Sequence, residues 1–182
     1  MGNNDWNIDT AHTAINFSVR HMVISKVRGR FAKYSGTIRL DDGDVTRSSV
    51  DVSIDASSID TGVADRDTHL RSPDFFDVEN FSELRFRSKR IEQIEKTRYR
   101  VIGDLSIRGV TREVSLDAEY GGRATDPWGN ERVGFVAKTT IDRSDFGLTW
   151  NQALEAGGIL VGDRVEIDLD VEAVRAAAQS VA

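Results

Sequence analysis

Three histidines, no cysteine and a scatter of acids are the side chains from which this chain would have to build a reactive centre. His12, His21 and His69 stand at no HExxH spacing, and without thiolates to complete a ligand set they offer zinc little. His12 and His21 flank an apolar run, and hydrogen bonding at a strand end accounts for His12. His21 continues the odd-numbered face of Ile15, Phe17 and Val19, so it is expected to point inward near a rim. As a general base acting on a lipid or quinone it has no activating partner that can be named. No G-x-S-x-G elbow supplies a nucleophile, and neither phosphate-binding glycine pattern occurs. Asp60, Asp65, Asp67, Asp74 and Asp77 lack the spacing, the glycine and the closing glutamate of a calcium loop. Asp65 and Asp67 suit the start of a solvated helix, where acids complement the dipole. No catalytic residue and no metal ligand is therefore expected.

Charge carries no stronger signal. Arg85, Arg87 and Lys89 form a basic stripe, and Asp51 and Asp55 on the preceding polar face predict cross-strand pairing. Nucleic-acid recognition would place aromatics on that same face, whereas Phe86 falls on the opposite one. A net charge of −6 also argues against a nucleic-acid or anionic-membrane partner. What remains is apolar: Leu70, Phe75, Phe76, Val78, Phe81, Leu84 and Phe86 crowd one stretch of chain. Such a group either plugs a core or covers the mouth of a lipid cavity.

The elements that must position these residues are strands. Period-two alternation marks runs at Ile15 to Val19, Val27 to Leu40, Val50 to Ile54, Leu84 to Phe86, Val101 to Ile107, Val114 to Tyr120, Val133 to Ile141 and Val165 to Val171. In the second run the apolar phase changes near Ala32-Lys33, which predicts a bulge or bend. Asp41-Asp42-Gly43 has the residues of a hairpin turn, and Asp126-Pro127-Trp128-Gly129 those of a type I turn. Ala64 to Arg71 lacks alternation and predicts a short helix that ends before Pro73. Gly147 to Gly162 is a long irregular connection. Eight amphipathic strands can close into a barrel or stack as a sandwich, and a barrel of that size is either filled or holds one ligand.

The chain has 182 residues, 39% hydrophobic and 30% charged, which fits one domain with a substantial core. No apolar run approaches the roughly 20 residues that span a bilayer as a helix. The start, Met1 to Asp5, has no secretory pattern, and Trp6 stands where a myristoylation motif wants Ser or Thr. A cytoplasmic location is the expectation for the chain as written, and a periplasmic one if a leader has been trimmed.

Several segments together resemble the YceI-like, polyisoprenoid-binding family. They are Trp6-Asn7-Ile8-Asp9 with His12 to His21, Val27 to Phe31 with Tyr34-Ser35-Gly36, His69 to Val78 with Phe81, Gly103 to Thr111, and Arg143 to Gly147. The match runs in order from about Trp6 to Val174, the core of a single domain spanning 1–182. The resemblance implies an all-β fold, an extended lipocalin-like eight-stranded antiparallel β-barrel with a short helix between strands three and four. It also implies an interior that holds a polyprenyl or isoprenoid-quinone tail, a homodimer, and no cofactor besides that lipid. Many relatives carry an export signal that this sequence does not show. On this reading Phe17, Val19, Phe31, Ile38, Val52, Phe76, Phe81, Phe86, Val101 and Leu105 face the ligand, with His21 and Tyr34 as polar contacts. The function implied is non-catalytic binding and carriage of the lipid. The alternative is a side-chain-filled barrel acting as a structural or stress-related interaction protein.

Overall fold

Alternating apolar and polar residues become eleven strand segments in the computed structural model, which describes residues 4–177. In chain order they are β1 (Asp5–Ile8), β2 (Ala14–His21), β3 (Ser25–Phe31), β4 (Tyr34–Arg39), β5 (Ser49–Asp55), β6 (Ile59–Asp60), β7 (Glu83–Gln93), β8 (Arg98–Ile107), β9 (Val110–Thr125), β10 (Glu131–Asp142) and β11 (Val161–Arg175). The single α-helix among the described residues, α1 (Ala64–Arg71), lies between β6 and β7. No helix of the described residues is long and apolar enough to cross a membrane.

The segments make eight staves. β1 and β2 are two halves of the first, since both pair along one edge of β11, with Trp6 opposite Arg175 and Ile15 opposite Leu169. β3 and β4 are the two halves of the second, pairing with β2 and β1 respectively. β5, β7, β8, β9, β10 and β11 follow as successive antiparallel neighbours, and β11 returns to β1. The ring is therefore a closed eight-strand antiparallel barrel. Closure removes the exposed edges that an open sheet would present.

The bend expected at Ala32-Lys33 separates β3 from β4. There the Ala32 N–H donates to the Ser58 carbonyl at 3.1 Å and the Asp55 N–H donates to the Lys33 carbonyl at 2.9 Å. The extra residues restore the inward phase, so Phe31 and Ile38 are both buried. The turn at Asp126 also forms as expected, with the Gly129 N–H donating to the Asp126 carbonyl at 3.0 Å.

Two local expectations need correction. Asp41-Asp42-Gly43 does not make a tight hairpin. Asp41 Oδ1 accepts the N–H groups of Gly43 and Asp44, and a 3₁₀ turn at Val45–Arg47 precedes β5. The helix occupies the predicted span, but Asp67 is not solvated. It is buried and accepts from the Thr61 N–H and hydroxyl at 2.9 and 2.5 Å, fastening the helix to the chain before it. Outside the barrel, Arg85 and Arg87 both donate to Asp51, as expected, while Lys89 turns to Glu113 at 2.8 Å. Asp55 instead caps the 3₁₀ turn at Ala56–Ser58.

One end of the barrel is packed around Trp6, which is 0% exposed, with Ile38, Leu40, Val133 and Ala173. Arg175 and Arg123 lie over the indole ring at 4.9 and 5.2 Å. Each is held by an acid, Glu131 and Asp42 respectively. At the seam beside it, Arg132 donates to Asp9 at 2.6 Å, to Glu172 at 2.7 Å and to Asp126 at 2.8 Å. Hydrogen bonds from His12 and then Arg132 lower the Asp9 carboxyl to about 2.

Replacing Trp6 with alanine is expected to cost about 3–5 kcal/mol, read by denaturant unfolding, because it empties a closed site. Asp9 contributes stability that is complete above its ordinary value of 3.8 and fades as pH falls toward about 2. The stability gap between the native chain and Asp9→Asn should therefore close over that acidic range and stay constant above it.

Candidate functional site: the barrel interior

The inward positions of every stave enclose a cavity of about 290 Å³ whose surface is almost wholly carbon. A single water needs roughly 10–15 Å³ of such space, so the opening is large on a molecular scale. Phe17, Val19, Phe31, Ile38, Val52, Phe76, Phe86, Val101 and Leu105 all line it. The structure thus brings together residues from β2, β3, β4, β5, β7 and β8 with Phe76 from the segment after α1.

The cavity exists because large side chains lie along the wall instead of across the axis. Phe17 sits opposite Gly29 in the β2–β3 register, and a Cβ at Gly29 would fall 2.4 Å from the tip of its ring. Only a glycine admits the ring there. Phe86 uses Gly103 in the same way, 2.6 Å from where a Cβ would stand. The centre is left open.

Three expected contacts are elsewhere. Phe81 is 36% exposed and packs over the hairpin between β8 and β9, 2.8 Å from the Cβ position of Gly109. It covers a turn outside the wall. The Tyr34 hydroxyl donates to the Thr13 carbonyl at 2.5 Å and is engaged in holding the first stave. Burial raises its phenol pKa. His21 stands opposite Val161 and Ser25, one step beyond Val19 and outside the lining.

Sequence reasoning passed over a large part of the wall. Leu116, Phe135, Ile141, Val165, Ile167, Leu169 and Val171 line the cavity from β9, β10 and β11. Their alternation was visible, but alternation marks two faces without saying which one closes on itself.

Arg143 is the second omission. It is 4% exposed, and its guanidinium donates to the carbonyls of Gly162 at 2.9 Å, Leu148 at 2.7 Å, Trp150 at 2.8 Å and Val161 at 3.3 Å. Burial lowers its pKa. One side chain thus binds both ends of the irregular 147–160 connection to the barrel. Beside that connection His69 packs edge-on against Trp150 and Phe75, with Nε2 2.9 Å from Asp74. Asp9, His12 and Glu172 place donor atoms within 4.8 Å of one another, but the Arg132 guanidinium already occupies both carboxylates.

Eight antiparallel staves around a carbon-lined interior define a lipocalin-like barrel. The model of the YceI-like domain matches residues 6–173, and the chain belongs to that family. It is similar to a UPF0312 protein of Vibrio parahaemolyticus, 40% identical over 146 residues that cover 79% of this chain and 77% of the relative. Among solved structures it resembles Burkholderia cenocepacia BcnA, with a TM-score of 0.80 and 22% identity over 91% of this chain and 98% of that one. A polyisoprenoid binding domain from Saccharophagus degradans aligns with a TM-score of 0.72 and 15% identity, covering 94% of this chain and 98% of that domain.

Arg143→Leu leaves several buried carbonyls without donors, at about 1–3 kcal/mol each when unsatisfied. Amide exchange across residues 148–161 should then accelerate by about tenfold or more, while the part of β7 and β8 around Ile91 and Val101, which packs in a separate cluster, stays protected.

Proposed function

We propose that the barrel binds the tail of a long isoprenoid lipid, of the polyprenyl or isoprenoid-quinone type, and carries it without chemical change. The observation behind this reading is the internal cavity with its almost purely carbon surface. Each methylene moved from water into such a surface gains about 0.8 kcal/mol, so a tail of many carbons has ample drive to enter. Ordering the tail offsets part of that gain, and net affinity is lower per atom. Membership of the YceI-like family supports the lipid class, as does the likeness in fold to a polyisoprenoid binding domain. Arg143, the one charged side chain of the lining among the described residues, is already committed to backbone carbonyls, which supports carriage over catalysis.

Native mass spectrometry of the purified protein, followed by organic extraction, tests the reading. A stoichiometric isoprenoid is the expected result, and the same spectrum reads the homodimer that the resemblance implies. A protein that is empty and takes up no added polyprenol favours the filled-barrel alternative instead. Leu105→Trp should fill part of the lumen and lower lipid occupancy by about tenfold, because overpacking costs about 1–3 kcal/mol. Its circular dichroism should match that of the native chain.

A further inference from the structure

The β2–β3 hairpin turns through Met22, Val23 and Ile24, which are 39%, 70% and 80% exposed. Met22 and Val23 hold positive φ, 53° and 65°. That is the geometry of primed hairpin turns, which ordinarily take Asn and Gly. A β-branched residue there carries strain of the kind that collects at functional sites. Local backbone preference thus opposes the residues present, and at Val23 and Ile24 little burial offsets it.

A second loop joins this tip. Asn151 pins the base of the 147–160 connection by accepting from the N–H groups of Leu160 and Val161 and donating to the Val161 carbonyl at 2.7 Å. The Met22 N–H donates to the Leu160 carbonyl at 2.9 Å, which sets the two loops side by side. The neighbouring Ile159 is 41% exposed. Both loops rise from the cavity wall, since Val19 and Val161 line it immediately below them. They form an apolar crown on that end of the lumen.

The net charge of −6 argues against an anionic surface for the chain as a whole, and the second loop carries Glu155 and is followed by Asp163. The β2–β3 half of the crown, however, is basic. Residues 14–31 include Arg20, Lys26, Arg28 and Arg30 and no acid, in a protein whose net charge is −6. All four basic side chains are exposed. Lys26 pairs with Glu166 and Arg30 with Asp60, while Arg20 and Arg28 have no ion pair among the described residues.

We propose that this crown docks on the surface of an anionic lipid bilayer. The three apolar tip residues enter the interface, and Arg20 and Arg28, the two arginines of the hairpin without an ion pair among the described residues, meet lipid phosphates just outside it. The cavity end then lies against the acyl region, so a tail can pass without crossing water. The proposal rests on the lipid-binding reading for its purpose, while docking itself uses only the crown.

The test is sedimentation of the protein with vesicles of phosphatidylcholine, alone or mixed with about one-third phosphatidylglycerol. Binding to the anionic vesicles that weakens with salt is expected. The double variant Met22→Asn, Val23→Gly gives the turn the residues its geometry favours, so it should unfold no earlier than the native chain. It should bind anionic vesicles about tenfold more weakly or worse. The pair Arg20→Gln, Arg28→Gln should lose about tenfold on anionic vesicles only. Equal binding by the tip variant overturns the proposal, as does no vesicle binding by the native chain. Loss of self-association in the tip variant, without any vesicle binding, would assign the crown to a second copy and likewise overturn it. Uptake of polyprenol from detergent, read by native mass spectrometry, separates the two readings. Docking without uptake supports the crown and removes the cavity reading, whereas uptake without docking does the opposite.

Discussion

Everything in this molecule depends on the pairing of β11 with two sides of the same sheet. Along one edge it matches β10 from Asp142↔Arg164 to Arg132↔Val174. Along the other it takes β2 over most of its length and β1 at its end. That double engagement turns a strip of amphipathic strands into a ring, and a ring has an inside. An open sheet with the same sequence would present its apolar face to water and an unpaired edge to other chains. The Trp6 cluster and the Arg132 ion pairs sit at this seam, where β1 meets β11, so buried packing and charge both reinforce the place where the ring is joined.

Closure alone does not make a cavity, because eight staves can equally enclose a filled core. Here the difference comes from pairing aromatics with glycines. Phe17 lies over Gly29, Phe86 over Gly103, and the rings extend along the wall where a Cβ would have pushed them inward. The cavity is thus kept by contacts that are themselves well packed. One end is shut by Trp6 between two arginines, and toward the other the Arg143 guanidinium fixes a long connection beside the lumen. The result is an apolar interior with unequal ends, one closed by packed side chains and the other flanked by a fixed connection.

The eight strand runs, the bend at Ala32-Lys33 and the helix from Ala64 to Arg71 were legible because each follows from short-range rules of period, phase and proline. Side-chain destinations were less so. Tyr34 shares a strand with residues that face the lumen, yet its hydroxyl reaches the Thr13 carbonyl, a partner 21 residues away. Phe81 belongs to an apolar cluster but covers Gly109, which the strand pattern places in another hairpin. Asp67 looked like a helix-start acid and is buried against Thr61. In each case the deciding contact was tertiary, and nothing in local periodicity encodes it.

By itself the sequence determined that strands would dominate, where they begin and turn, which face of each is apolar, and which family the segments resemble. These follow from alternation and turn chemistry, which act over a few residues. Only the tertiary structure decided that the apolar faces close on one another, and that β9 to β11 contribute a large share of the wall. It also decided that a lone arginine at 143 would hold a loop, and that a hairpin without acids would carry its exposed apolar tip to the end of the lumen. Those outcomes depend on register between strands far apart in the chain, and a one-residue slip would have turned every one of those side chains to the opposite face.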